Sequence, residues 1–360
     1  MDNDSLKRLL DSNETFRKEP YGKAFGIIDD FVDYLKKGFE LGSKVSIEGP
    51  RIRSVIFTGM GGSGIIGDVV ADFLAGKDVE IRVQKDYFIA RGEYDLAVVV
   101  SHSGNTAETI NSLIELLQRN ADQKLVVITS DGILKRIAEK IGAPLITVRG
   151  DIPPRYGFPE MLGAALGLLS SLGIIEFHVN EEELEGFQSK LKCDVPYEEN
   201  LAKQVAAKIT QFYPVIYCPR YLKAVGWRLK SQLNENSKIY CSYAELPEAL
   251  HNDIEALTKD SLVIIPRSFR EPKELTYTIN ALVEILGGDR FVFLKAESMY
   301  LVNETIKLII LCDYISLYAA VIKKVNPMQV PLISRLKKIN ETPKMIYNKA
   351  SRIFFGVEKN

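Results

Sequence analysis

Two short stretches carry residue types suited to holding an anion. Thr58-Gly59-Met60-Gly61-Gly62-Ser63-Gly64-Ile65-Ile66-Gly67 follows the apolar run Ser54-Val55-Ile56-Phe57 and leads into an amphipathic run, Ile65 to Leu74. A strand, a glycine turn and a helix start leave backbone N–H groups facing a ligand, and glycine lets that ligand approach the backbone closely. The bland alternative is a tight turn with no ligand. The second stretch, Ser101-His102-Ser103-Gly104-Asn105-Thr106-Ala107-Glu108-Thr109, closes the apolar run Leu96–Val100. A helix cap needs one hydroxyl; here Ser101, Ser103 and Thr106 supply three within six residues. Together with the backbone of Gly61, Gly62 and Ser63, they suit a phosphate monoester.

Other chemistries find less support. The three histidines, His102, His178 and His251, lie far apart, with no H-x-H or H-E-x-x-H and no paired cysteines. No metal is expected. The glycine turn lacks the Lys-Ser/Thr of a P-loop. Asp68 follows it too closely to be the ribose-binding acid of a dinucleotide fold, expected about 20 residues on. No cofactor is expected.

Lys+Arg is 46 and Asp+Glu is 47 among 360 residues, a balance that gives no general pull toward nucleic acid or anionic lipid. Any anion site must be local. The four cysteines, Cys193, Cys218, Cys241 and Cys312, are dispersed, which fits a reducing compartment better than a disulfide framework. The first residues are acidic and polar, unlike a signal peptide. No run is read as reaching the roughly 18 apolar residues of a membrane span. The expectation is a soluble, cytoplasmic protein with no membrane and no nucleic-acid partner.

The elements that must position these stretches follow from periodicity. Residues 1–45 predict a helical extension, with Phe25, Ile28, Phe31, Val32 and Leu35 on one apolar helix face packed on the first domain. Over 46–150, strands are expected at Ser54–Phe57, Val79–Val83, Leu96–Val100, Leu125–Thr129 and Pro144–Val148. Helices are expected at Ile66–Leu74, Thr106–Gln118 and Ile133–Ile141. Apolar strands alternating with helices predict a doubly wound parallel sheet with helices on both faces, its ligands outside the carboxyl ends of the strands. Residues 151–200 connect. A second alternation over 201–325 has strands at Val215–Cys218, Leu262–Ile265 and Phe291–Leu294, and helices at Tyr221–Asn234 and Ile306–Ile322. Residues 326–360 form a basic tail with a helix at Leu332–Lys338.

These motifs together resemble a known family. Gly-x-Gly-Gly-Ser-Gly followed by Ser-x-Ser-Gly-Asn-Thr-x-Glu-Thr is similar to the sugar isomerase (SIS) fold, whose members bind phosphosugars. Pro153-Pro154-Arg155, Asn234-Glu235-Asn236-Ser237-Lys238 and Glu245-Leu246-Pro247-Glu248-x-x-His251-Asn252 extend the resemblance to the small bifunctional phosphoglucose/phosphomannose isomerases best known from archaea. The pieces occur in the family's order and cover most of residues 50–260. The resemblance implies two SIS subdomains and a phosphorylated hexose as substrate.

Aldose–ketose isomerisation moves a proton between adjacent carbons through an enediol. It needs a base, a ring opener and stabilisation of an oxyanion. The resemblance implies Glu235 as the base and His251 as the ring opener, donated across a homodimer interface. An imidazole exchanges protons near neutral pH. Arg155, its approach stiffened by two prolines, is implied to steady the enediolate, and Lys337, chosen over Lys338, to contact substrate. Taken singly, each also reads as an ordinary surface or loop residue. His102 falls where the pattern is free and is read as incidental. Where relatives commonly carry Asp-Pro-Thr-Pro, this chain has Asn326-Pro327-Met328-Gln329, which leaves acceptance of mannose 6-phosphate open. A phosphosugar sensor without catalysis is the alternative; it would not require the Glu235 and His251 pair.

Overall fold

The computed structural model describes residues 3–49, 51–119, 124–175 and 179–356; His178 lies outside them. The chain divides into two compact units, one of residues 1–30 and 178–329, the other of 31–177 and 330–360.

The chain opens with α1 (Asn3–Leu10), α2 (Asn13–Arg17) and α3 (Tyr21–Asp29). The single helix expected across Phe25–Leu35 is in fact two. α3 ends at Asp29, and its last carbonyls, on Ile28 and Asp29, accept hydrogen bonds from the Gln188 side chain, each at 2.8 Å. Phe16 and Phe25 pack edge-on and tilted against Tyr318, so these helices belong to the unit built around the second sheet. The apolar face packs on the first sheet's unit only from Phe31, where α4 (Phe31–Ser43) begins.

The first sheet contains β1 (Ser54–Thr58), β2 (Glu80–Gln84), β3 (Leu96–Ser101), β4 (Lys124–Thr129) and β5 (Leu145–Thr147). All are parallel, in the order β2-β1-β3-β4-β5. The crossovers are α5 (Gly61–Phe73), α6 (Ala107–Arg119) and α7 (Gly132–Ile141), and α8 (Phe158–Ser171) follows. Ile56, Ala97, Val99 and Val127 of the strands pack against Ile110 and Leu113 of α6 and Leu134 and Ile137 of α7. On the opposite face, α5 comes so close to β1 that a Cβ on Gly67 would lie 2.7 Å from the Cβ of Phe57. Burial on both faces is why β1, β3 and β4 read as unbroken apolar runs.

α4 and α8 cross through two glycine pairs at i, i+4 spacing. A Cβ on Gly38 would stand 2.0 Å from Glu160 O and one on Gly42 2.1 Å from Ala164 O; one on Gly163 would stand 2.0 Å from Leu35 O and one on Gly167 2.2 Å from Phe39 O. Both backbones touch where side chains would hold them apart, which fixes α8 and the turn before it.

The second unit continues with α9 (Glu181–Ser189) and α10 (Leu201–Ile209). Its sheet comprises β6 (Tyr213–Pro219), β7 (Ser242–Leu246), β8 (Ser261–Pro266) and β9 (Phe291–Leu294), parallel in the order β7-β6-β8-β9. α11 (Lys223–Gln232) follows β6, α12 (Lys273–Leu286) follows β8 and α13 (Leu301–Ile322) follows β9. α12 packs Ile279 and Leu282 on Val263 and Ile265 of β8.

The expectation that no run could span a membrane fails for α13 on length and composition, with a mean hydropathy of 1.8 over 18 residues. Of that window 94% is buried, so α13 is a core helix. Its carboxylates have partners inside: Asp313 takes both Arg228 Nε and Nη2, at 2.8 and 2.7 Å, and Glu304 accepts from Ser268 Oγ at 2.6 Å. The tail is also more ordered than the basic end expected. After α14 (Pro331–Ile339), α15 (Thr342–Ala350) packs Ile346 and Ala350 into the core beside α6.

Candidate active site

β1 and β3 are neighbours, and the strand order reverses between them, which is where open parallel sheets hold ligands. The glycine turn ends one of these strands and the hydroxyl loop ends the other. α5 starts at Gly61, in a left-handed conformation at φ 53°, with no side chain capping it. Its first N–H groups therefore lack side-chain acceptors. Gly62 is half-buried and Ser63 buried. Ser63 Oγ accepts from the His102 N–H at 3.2 Å and donates to Met161 Sδ at 3.7 Å, so one hydrogen bond ties the two loops together.

Of the three hydroxyls, two hold each other. Ser101 Oγ lies 2.9 Å from Thr106 Oγ1. Ser103 Oγ, half-buried, accepts from Asn105 N–H at 3.3 Å. The turn after β4 braces the loop from beneath: the Ser130 N–H and hydroxyl both donate to His102 O, at 3.0 and 2.6 Å. Gly104 has to be glycine, since φ is 63° and a Cβ would fall 1.6 Å from Asp131 O.

His102 is the residue that sequence reasoning missed. It is 3% exposed and its Nε2 has no hydrogen-bond partner. Burial pulls its pKa below the ordinary 6.5 against the opposing effects of a hydrogen bond to the Arg149 backbone and the charge of Asp151. Its ring fills the space beside Gly157, which caps α8 and directly follows the 3₁₀ turn Pro154–Tyr156. Arg155 lies buried in that turn, its guanidinium carbon 4.9 Å from the Tyr156 ring centroid. The imidazole thus joins the hydroxyl loop to the arginine turn. A lone histidine between two serines gives no sign of this in sequence, because its neighbour is 55 positions away.

Ser63, Ser101, Ser103 and Thr106 lie on two loops joined by one hydrogen bond, and the His102 ring packs beside Gly157, two residues after Arg155. Lys337 belongs to the same unit but stands exposed on α14, a helix with no buried residue. Glu235 and His251 belong to the other unit. Glu235 does not follow a finished helix; it sits inside a single π turn, Leu233–Ser237, that extends α11. Short π segments recur at functional positions. The turn is held on α13 by Asn236 Nδ2 donating to Ser316 Oγ at 2.9 Å, and α11 by Arg228 and Gln232 on Asp313. His251 is exposed at the end of a 3₁₀ turn, Glu248–His251, beyond β7.

Two parallel α/β sheets, with glycine and hydroxyl loops at the order reversal of the first, define a protein of the phosphosugar-handling SIS class. Residues 198–339 match the model of the bacterial phospho-glucose isomerase C-terminal SIS domain. A bifunctional phosphoglucose/phosphomannose isomerase of Pyrobaculum calidifontis is 30% identical over 326 residues, 87% of this chain and 99% of the relative. One of Pyrobaculum aerophilum is 31% identical, over 87% of this chain and 98% of the relative. In fold, the chain is similar to the C-terminal domain of glucosamine-fructose-6-phosphate aminotransferase from Francisella tularensis: the TM-score is 0.66 at 13% identity, over 85% of this chain and 98% of that one. The chain belongs to the bifunctional phosphoglucose/phosphomannose isomerase family.

Proposed function

We propose that the chain interconverts glucose 6-phosphate and fructose 6-phosphate, and also mannose 6-phosphate and fructose 6-phosphate, by metal-independent proton transfer. The observation that carries this reading is the hydrogen bond from the His102 N–H to Ser63 Oγ, which joins the two loops read as holding an anion at a sheet's order reversal. In this reading the hydroxyls of Ser101, Ser103 and Thr106, with the Gly61, Gly62 and Ser63 backbone, hold the phosphate. Hydrogen bonds to a charged oxygen contribute about 1.5–3 kcal/mol each, enough for a few to hold a phosphosugar.

His251 gives a proton to the ring oxygen and takes one from the anomeric hydroxyl, opening the ring. Glu235 removes the C2 proton of the aldose while O1 gains one, the enediol forms, and the same carboxyl returns a proton to C1 while O2 gives up its own. Arg155 offsets the negative charge that develops on the oxygens in between, and Lys337 contacts the substrate. The exposure of His251 in a single chain supports its delivery to a partner's substrate in a homodimer.

The test is a coupled assay of both aldoses in EDTA. Turnover of each is expected. Glu235→Gln is expected to abolish turnover while phosphosugar binding survives. Undiminished turnover in that variant would remove Glu235 from the chemistry, and no turnover of either aldose by the wild type would leave a phosphosugar binder.

A further inference from the structure

Lys238 ends the π turn that carries Glu235. It adopts the left-handed conformation, at φ 56° and ψ 31°, and only one other non-glycine residue among those described, Lys324, has positive φ. The residue is exposed, yet its ammonium is engaged by backbone carbonyls. Nζ donates to Glu235 O at 2.6 Å, Asn326 O at 2.8 Å and Gln329 O at 2.8 Å. An ammonium has three donors, and here each meets a carbonyl.

Two of those carbonyls come from the segment after α13. Asn326 closes its own turn there, its Oδ1 accepting from Met328 N–H at 2.8 Å. Asn236 and Ser237 on the same π turn are pinned by other means, the first to Ser316 Oγ and the second by its hydroxyl to Leu233 O at 2.7 Å. The Glu235 peptide itself is joined to the 326–329 turn through the ammonium of Lys238.

We propose that Lys238 is a positioning residue for the isomerase reaction: by clamping three carbonyls it sets where the Glu235 carboxylate stands and makes that position depend on the Asn326–Gln329 turn. The proposal rests on the reading of Glu235 as the proton-transfer base. Misplacing a catalytic group by about 1 Å costs on the order of a hundredfold in rate. Losing the clamp therefore lowers kcat and leaves phosphate recognition, which other residues supply, intact.

The test compares Lys238→Met, Lys238→Gly and Lys238→Ala in the full-length chain, with kcat and KM for glucose 6-phosphate and the thermal midpoint recorded for each. Methionine keeps bulk without donors. Glycine removes the ammonium while accepting the left-handed backbone. All three are expected to lose about ten- to a hundredfold in kcat, with KM within about twofold of wild type. Added n-propylammonium, which replaces the missing stem and charge, is expected to restore part of kcat in Lys238→Ala and none in Lys238→Met, where the space is filled. Wild-type kcat in Lys238→Met overturns the proposal. So does wild-type kcat in Lys238→Gly, since the backbone and not the ammonium would then matter, and so does a folded Lys238→Ala that n-propylammonium fails to revive. Glu235→Gln separates the two levels. If it is inactive while Lys238→Met is fully active, only this proposal falls; if it is active, the assignment of the base falls with it.

Discussion

A Cβ on Gly157 would lie 2.3 Å from His102 Cδ2 and 2.4 Å from its Nε2, so the imidazole occupies space that any other residue at 157 would claim. Gly157→Ala must push the ring, and the ring's own backbone N–H is bonded to Ser63 Oγ. The expected result is a loss of about 1–3 kcal/mol of stability, together with a higher KM for glucose 6-phosphate. Adding His102→Ala makes room for the new methyl, so a double-mutant cycle is expected to give a coupling of about 0.5–3 kcal/mol. Strictly additive effects would mean that the two residues do not meet.

The same ring gives stability a pH dependence of known sign. Burial holds the His102 pKa below the ordinary 6.5, with the Arg149 charge acting in the same direction. The unfolded chain thus binds a proton at a higher pH than the folded chain does. This contribution is fully present above 6.5 and is lost as pH falls from there through the depressed folded value. Urea unfolding at pH 7.5 and 5.5 is expected to show a smaller loss on acidification in His102→Phe than in wild type. An equal loss in both would assign the acid sensitivity to other groups.

Glycines at helix crossings give a further contrast. Gly167→Ala would set its Cβ 2.2 Å from the Phe39 carbonyl, a backbone atom that cannot swing aside, so α4 and α8 must part. A cost of about 1–3 kcal/mol is expected. At Gly186, inside α9, a Cβ would meet nothing within 4 Å, and the backbone is not left-handed. Gly186→Ala is expected to stabilise by about 0.4–1 kcal/mol, because alanine narrows the unfolded ensemble. Chemical denaturation of both variants reads the opposite signs.

How much of this was legible depends on what each element touches. β1, β3 and β4 are buried on both faces, and unbroken apolar runs such as Leu96-Ala97-Val98-Val99-Val100 announced them. β7 went unread because it is an edge strand: Ser242, Tyr243, Ala244 and Glu245 are only half-buried and mix polar with apolar types. The break at Asp30 was hidden because the side chain that satisfies the last carbonyls of α3 is Gln188, far along the chain. The i, i+4 glycine pairs at Gly38/Gly42 and Gly163/Gly167 went unread, because their meaning needs both helices at once. At the site, the loops were readable as residue types. That Ser101 and Thr106 bond each other was not, since hydroxyl orientation is decided by packing around Ser101, which is 1% exposed.

That internal bond separates two serines that sequence alone treats alike. Ser101→Ala strips Thr106 Oγ1 of a partner at a buried position, so it is expected to cost about 1 kcal/mol of stability as well as phosphate affinity. Ser103 is half-buried and only accepts, from Asn105 N–H at 3.3 Å, a bond long enough to give up cheaply. Ser103→Ala is therefore expected to leave the thermal midpoint unchanged while weakening inhibition by inorganic phosphate about tenfold, near 1.4 kcal/mol. Competitive inhibition by phosphate, read beside thermal unfolding, checks both. If Ser103→Ala bound phosphate as wild type does, its hydroxyl would be a loop brace, and the anion would rest on the α5 N-terminus and the Ser101–Thr106 pair.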